Sequence, residues 1–221
     1  MVIPRASSEA LTFHLAPLPS GQVGLFPEQR TNWQWIAEQF GRVRQGGTRR
    51  ALKVLNLFAY TGGSTMAAAL AGAQVTHVDA ARSVVARARE NVEALNSREL
   101  RIRWIVEDAV KFCQREVRRG NGYDAVILDP PSYGHGPKGQ RWTIQRDLLP
   151  LLSLCGQLTE KHRAYLLATC HTPGIGPAEL SAYLADGVFG HCGRPARTGT
   201  LQLQSADGRY LPSGVYARWP G

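Results

Sequence analysis

Residues 54–64 read Val54-Leu55-Asn56-Leu57-Phe58-Ala59-Tyr60-Thr61-Gly62-Gly63-Ser64. A short apolar run of buried-strand character breaks at two consecutive glycines and gives way to residues 65–70, an alanine-rich run that favours helix. Where a strand hands over to a helix through such a turn, an α/β sheet binds its ligand. Glycines let the main chain come close to a partner, and a helix N-terminus favours negative charge such as a carboxylate. By itself the stretch marks a nucleotide-like ligand of unspecified kind.

Outward from this turn, strand and helix patterns alternate. The expected order is strand 52–58, helix 64–71, strand 74–79, helix 82–96, strand 102–106, helix 109–119 and strand 124–129. A helix near 140–157, a strand near 163–170 and a helix near 177–185 continue it. In the second of these helices Val84, Ala88, Val92 and Leu95 form an apolar stripe, as a helix covering a sheet requires. The pattern predicts an α/β fold, a Rossmann-like, doubly wound, mostly parallel sheet. After Gly193 the period changes to alternation at residues 200–204 and 215–219, with Asp207-Gly208 as a turn, so a C-terminal antiparallel hairpin is expected. Before the sheet, residues 11–15 and 23–26 read as two short strands about the Pro19-Ser20-Gly21 turn. A helix then opens on a capping box at Thr31-x-x-Gln34, with Trp33, Ile36, Ala37 and Phe40 on one face until Gly41 and Gly46-Gly47 end it.

The chain of 221 residues carries 26 Lys and Arg against 17 Asp and Glu, a formal charge of +9. Arginines cluster at Arg42, Arg44, Arg49 and Arg50, at Arg98, Arg101 and Arg103, and at Arg115, Arg118 and Arg119. This suits a polyanionic partner, although a solvated arginine-rich surface has the same composition. Cys113, Cys155, Cys170 and Cys192 form no C-x-x-C pair, so neither a disulfide framework nor a metal site is expected. With no apolar leader in residues 1–9 and no 18-residue apolar run, a cytoplasmic protein is expected.

Acidic residues recur at successive strand ends, where open parallel sheets bind ligands. Asp79 follows the glycine-turn strand at about the 20-residue interval that lets an acid reach ribose hydroxyls. Asp108 can receive an adenine amino group or cap a helix. Asp129 opens Asp129-Pro130-Pro131-Ser132-Tyr133, a turn that two prolines rigidify, with an acceptor for a base edge and an aromatic face for stacking. The turn lacks the G-x-G-x-x-G diphosphate cradle. A cofactor with an adenosine and an amino-acid end but no phosphate fits it better.

The order LNLFAYTGG, THVDA, VEDAVKF, ILDPPSY resembles the class I S-adenosylmethionine-dependent methyltransferases, in particular the branch of bacterial 23S ribosomal RNA cytosine-C5 methyltransferases and their uncharacterised relatives. The resemblance runs over about residues 21–219 and implies the class I methyltransferase fold with S-adenosyl-L-methionine as cofactor. It divides the chain into an N-terminal hairpin and helix, 1–50, packing on a methyltransferase domain, 51–221. Residues 24–30 resemble the family's G-x-F-x-D-Q-R stretch, which implies that Phe26, Gln29 and Arg30 lie against the cofactor; Glu28 replaces the usual aspartate and Trp33 stands where an arginine is common. The resemblance further implies that Asn56, Phe58, Tyr60, Thr61 and Gly62 border the methionine end, Asp79 the ribose, and Asp108 with Ala109 the adenine. Asp129 belongs to both the cofactor and the reacting base, and Pro130, Pro131, Ser132 and Tyr133 would face the substrate, RNA and in particular ribosomal RNA. The family commonly has a separate N-terminal RNA-binding domain. The roughly 50 residues before this core are few for one, so recognition would fall to the domain's own surface or a partner, or the target is not RNA.

Carbon 5 of a pyrimidine accepts a methyl group only after a thiolate has added to C6. Cys170, at a strand end in Thr169-Cys170-His171-Thr172, matches the family's position for the catalytic cysteine, in a setting that resembles the Ser-Cys-Ser type. It is equally a residue type common in cores, and His171 should face the opposite side of an extended strand. Some relatives with the same Asp-Pro-Pro turn methylate guanine nitrogen, which needs no thiol. A small-molecule or protein methyltransferase, or a non-catalytic RNA-binding or S-adenosylmethionine-binding module, keeps the same cofactor motifs.

Overall fold

The computed structural model describes residues 13–15, 23–47, 50–95, 100–135, 141–191 and 193–221. A 3₁₀ turn, Pro27–Gln29, leads into α1 (Arg30–Gln45). There follow β1 (Lys53–Leu57), α2 (Gly63–Leu70), β2 (Gln74–Asp79), α3 (Arg82–Glu93), β3 (Ile102–Val106), α4 (Ala109–Arg118) and β4 (Ala125–Leu128). Next come a small hairpin of β5 (Tyr133–His135) and β6 (Arg141–Thr143), then α5 (Ile144–Thr159), β7 (Tyr165–Cys170), α6 (Pro177–Leu184) with a π turn at Ala185–Phe189, β8 (Arg197–Gln204) and β9 (Tyr210–Trp219).

Seven strands form one sheet in the order β3-β2-β1-β4-β7-β9-β8. The first five run parallel; β9 pairs antiparallel with both β7 and β8, which is the expected terminal hairpin. Alternation along the strands feeds two cores. Val54, Val75, Ile127, Tyr165 and Leu167 face Trp33, Ile36 and Phe40 of α1 and Met66 of α2. Leu55, Leu57, Leu128, Leu166 and Cys170 face Phe112 of α4, Leu148 and Leu152 of α5 and Leu180 of α6. Burial on both faces is why these strands read as continuous apolar runs.

Several expectations are corrected. Residues 23–26 form no strand: Gly24 adopts φ +87° and Pro27 opens the 3₁₀ turn, which breaks an extended run. Of residues 11–15 only 13–15 are described, without strand pairing, and the turn at 19–21 lies outside the described residues. Thr31 does not cap α1, because the 3₁₀ turn runs straight into the helix; its hydroxyl receives Arg218 Nη2 at 3.1 Å instead. Gly41 does not end α1, which continues to Gln45. The helix expected near residue 140 begins at Ile144, since Trp142 and Thr143 pair across to Gly134 and Tyr133 and the Thr143 N–H is received by Asp147 at 2.8 Å. On and just after α3, Ala88 of the expected stripe is buried and Val92 and Leu95 pack half-buried against the core, while Val85 rather than Val84 is buried and Asn91 turns inward to donate to the Thr61 carbonyl at 3.0 Å.

Candidate active site

Strand order reverses between β1 and β4, since successive crossovers leave β1 toward β2 on one side and β4 on the other. Their carboxyl ends diverge into a crevice, the place where such sheets bind ligands. Phe26, Gln29, Asn56, Phe58, Tyr60, Thr61 and Asp129 line it, together with Gly63, Leu167 and Thr169.

The loop after β1 is held in an unusual conformation. Phe58 and Tyr60 have φ of 53° and 49°, a left-handed region costly for aromatic residues, and Gly62 has φ +93°. Neighbours over-determine that strain. The Phe58 ring packs at 5.1 Å from Trp142, the Tyr60 ring at 5.0 Å from Phe26, and the Tyr60 N–H donates to Asp79 Oδ2 at 3.0 Å. The glycines also pack closely against protein: a Cβ on Gly63 would lie 2.4 Å from the Trp33 ring, and one on Gly62 3.3 Å from Ala88. Trp33 also donates from Nε1 to Ser64 Oγ at 3.1 Å, so the residue standing in place of an arginine clamps the loop from α1.

Asn56 is oriented by a buried chain. Its Nδ2 donates to Thr65 Oγ1 at 2.9 Å, and Thr65 Oγ1 lies 2.9 Å from His77 Nδ1. Burial, with Arg89 nearby, pulls the His77 pKa down to about 3, so the ring is neutral and its tautomer sets which of Nδ1 and the threonine hydroxyl donates. With its NH₂ committed to α2, Asn56 keeps its side-chain carbonyl as an acceptor.

Among the described residues three donors fix Asp129. Gln29 Nε2 reaches Oδ2 at 3.0 Å, while Thr169 Oγ1 at 2.5 Å and His171 Nε2 at 3.1 Å share Oδ1. Gln29 is itself held by Asn32 Nδ2 at 2.6 Å, and Asn32 Oδ1 receives Arg218 from β9 at 2.6 Å. A carboxylate offers about four acceptor positions, so one on Oδ2 is left for a ligand. Thr169 and His171 carry no motif signal, but the period of two along β7 places them on one face.

The remaining expected residues are distributed as follows. Asp79 sits behind the pocket and organises its wall, receiving Tyr60 and Ala81 N–H groups at 3.0 Å each; burial raises its pKa against these hydrogen bonds. Arg30 is exposed on the first turn of α1 and does not line the crevice. Asp108 caps α4 by receiving the Lys111 N–H at 3.0 Å, and Ala109 is the buried first residue of that helix. Pro130 is buried, the Pro131 carbonyl receives Trp142 Nε1 at 2.7 Å, Ser132 Oγ lies 2.7 Å from Thr172 Oγ1, and Tyr133 stands 70% exposed on β5. Cys170 faces the opposite side of β7 from His171, is 1% exposed, and receives the Thr172 N–H on Sγ at 3.4 Å. Cys113 and Cys155 are buried in helices, and Cys192 lies outside the described residues. Among the described residues no His, Cys, Asp and Glu group could hold a metal ion, and no helix is long and apolar enough to cross a membrane.

Comparison with known proteins gives this geometry a family. The chain is 34% identical to a SAM-dependent methyltransferase from Agrobacterium tumefaciens, with a TM-score of 0.80 over 90% of this chain and 64% of that one. It is 36% identical over 172 residues to the ribosomal RNA large subunit methyltransferase I of Escherichia coli, covering 75% of this chain and 42% of the relative. To the enzyme of the same name from Aeromonas salmonicida it is 27% identical over 202 residues, covering 89% of this chain and 48% of the relative. The chain thus spans about half the length, or less, of these curated relatives. A family model for S-adenosylmethionine-dependent methyltransferases matches residues 7–187, most of the sheet and the whole crevice, and the chain belongs to that family.

Proposed function

We propose that the chain transfers a methyl group from S-adenosylmethionine to a base of RNA, with large-subunit ribosomal RNA as the substrate class. The donor set of the crevice fits this cofactor: its polar groups are acceptors and neutral donors, with no Lys or Arg among the described lining residues to hold a diphosphate. Asn56, Tyr60 and Thr61 would hold the amino-acid end, and Asp79, through the loop it organises, the ribose. When bound, S-adenosylmethionine supplies an electrophilic methyl group on a sulfonium. The protein's part is to present an acceptor atom in line with it and to exclude water. The relatives' names and the charge of +9 support RNA as the partner.

One observation carries the choice of acceptor. Asp129 keeps an open acceptor position on Oδ2 at the crevice, which suits a base that presents an amino group. Guanine, adenine and cytosine all present one; with Cys170 buried, transfer goes to the amino nitrogen without a covalent adduct, the sulfonium leaving as a thioether and the amino proton passing to solvent. A second reading, C5 methylation through Cys170, is favoured by the Thr172 N–H on Sγ, a contact that stabilises a thiolate. The burial of that thiol on the far face of β7 weighs against it.

Methyl transfer from labelled S-adenosylmethionine to ribosomal RNA, with mass spectrometry of the nucleosides, tests both. Transfer to a base amino nitrogen that survives in Cys170→Ala within about threefold is the expected result. Loss of transfer in that variant, with a C5-methylated product in the parent, would replace it by the thiol mechanism. Transfer to lysate metabolites or protein but not to RNA would overturn RNA as substrate.

A further inference from the structure

His171 stands where the resemblance has a serine, and its ring is held at both nitrogens. Nε2 lies 3.1 Å from Asp129 Oδ1, and Nδ1 meets the Ser213 carbonyl oxygen of β9. Carbonyl and carboxylate oxygens only accept, so both contacts coexist when each ring nitrogen carries a proton, or when His171 and Asp129 share the additional one. The Ser213 carbonyl reaches the ring through an irregularity in the hairpin. The β8–β9 register shifts between Leu201 and Gln202, and Gly214 takes φ +124°. A Cβ on Gly214 would lie 2.7 Å from His171 Nδ1 and 2.6 Å from the Cys170 carbonyl oxygen, so the bulge that aims Ser213 at the imidazole requires glycine.

We propose that His171 is a positioning residue for methyl transfer, bridging Asp129 to the β8–β9 hairpin so that Oδ1 is occupied by protein donors and Oδ2 is the oxygen that receives the acceptor base. The proposal rests on the role given to Asp129 above. It explains why a carboxylate with three protein partners has both of its crowded contacts on one oxygen: Thr169 and His171 share a face of β7 and arrive from the same side. It also gives the hairpin a function, since a shift of β9 at Ser213 is felt at the carboxylate.

The bridge is expected to depend on pH. The charged groups facing the ring are Asp129, beyond β4, and Glu28, in the 3₁₀ turn; β9 contributes the Ser213 carbonyl, and the Phe26 ring packs at 6.4 Å. Burial opposes a charged imidazole, but the hydrogen bond and charge of Asp129, with Ser213 and Glu28, outweigh it and raise the His171 pKa from 6.5 to about 9. A pKa raised on folding stabilises the bridged state fully below pH 6.5 and loses that contribution as pH climbs through about 9.

The test compares His171→Ala and His171→Gln with the parent in methyl transfer to ribosomal RNA, in calorimetric binding of S-adenosylhomocysteine, and in thermal melting from pH 6 to 9.5. Gln can donate to Asp129 without titrating. The expected result is a fall in kcat of about tenfold for His171→Ala at pH 7.5, with binding of S-adenosylhomocysteine within about threefold, and partial recovery in His171→Gln with no decline toward pH 9. Unchanged kcat in His171→Ala, or an alkaline decline that persists in His171→Gln, would overturn the proposal. Should the parent methylate no RNA, the functional reading fails and melting decides alone. The parent losing stability relative to His171→Gln across pH 6.5–9 supports the bridge, and parallel curves overturn it.

Discussion

Both ends of the parallel strands carry acids, fully buried at the amino edge and half-buried at the carboxyl edge, and the two sets keep different company. At the amino edge Asp124, 3% exposed, receives both terminal nitrogens of Arg50 at 2.5 and 2.6 Å and the Lys53 N–H at 2.7 Å. Glu116, 1% exposed, receives Tyr123 and Asn121 and lies 3.7 Å from Arg103 and 3.6 Å from Arg119. At the carboxyl edge Asp79 is held by backbone N–H groups, and Asp129 by an amide, a hydroxyl and an imidazole. An acid matched by arginine is neutralised where it stands. Asp129, whose cationic partner His171 reaches only Oδ1, and Asp79, held by backbone N–H groups, each keep a lone pair for something else. A strand-end carboxylate is therefore not a site by position alone; its partners decide.

The same division sorts the arginine clusters. Arg42 and Arg44 lie in the last turn of α1, Arg44 reaching Gly72 just before β2, while Arg115 and Arg118 lie in the last turn of α4 and Arg101 just before β3. With Arg50 and Arg103 they gather at the amino edge, where Lys53, Arg101 and Arg103 frame a groove. Much of the charge legible in composition thus sits on the edge away from the crevice, part of it spent on Asp124 and Glu116, while Arg115 reaches back to Glu107 just past the carboxyl end of β3.

Three substitutions would break or sharpen this contrast. Asp129→Asn should lower methyl transfer by about 100-fold or more while the melting temperature moves by only a few degrees, since it removes an acceptor at the reacting centre. An equal loss of activity in Asp124→Ala at matched stability would dissolve the distinction between the edges. Asp124→Ala should instead cost about 2 kcal/mol in urea unfolding, because the Lys53 N–H loses its partner while Arg50 escapes to solvent. Native-like stability in that variant would make the amino-edge acid incidental. Smallest in effect, Asp79→Ala should weaken S-adenosylhomocysteine binding about tenfold by freeing the Tyr60 and Ala81 N–H groups, as read by calorimetry.

Much of the fold was legible because its strands are buried on both faces and its helices on one, so β1 through β4 and β7 fall within a residue or two of expectation. Hairpin β5–β6 was not, because three-residue strands carry no period and Trp142 lies beside a strongly helical run. Of the crevice, residues 56–64 and Asp129 were readable from chemistry at strand ends. Thr169, Asn32 and Arg218 were not, because they act on Asp129 across β4, β7 and β9, and only strand order brings them together. Asp108 does cap α4, one of the two roles its position allowed, and nothing local in the sequence distinguishes the two.

The Trp33 ring occupies the space that a side chain at residue 63 would need. The two positions are therefore bound into one choice, in which a bulkier residue at 63 is admissible only if 33 shrinks, and the loop that walls the crevice inherits its shape from a helix that precedes the sheet. Phe26 and Gln29 line the crevice from that same side. A cut in front of β1 would pass through a single cavity wall, leaving the strands intact and the crevice open along one flank.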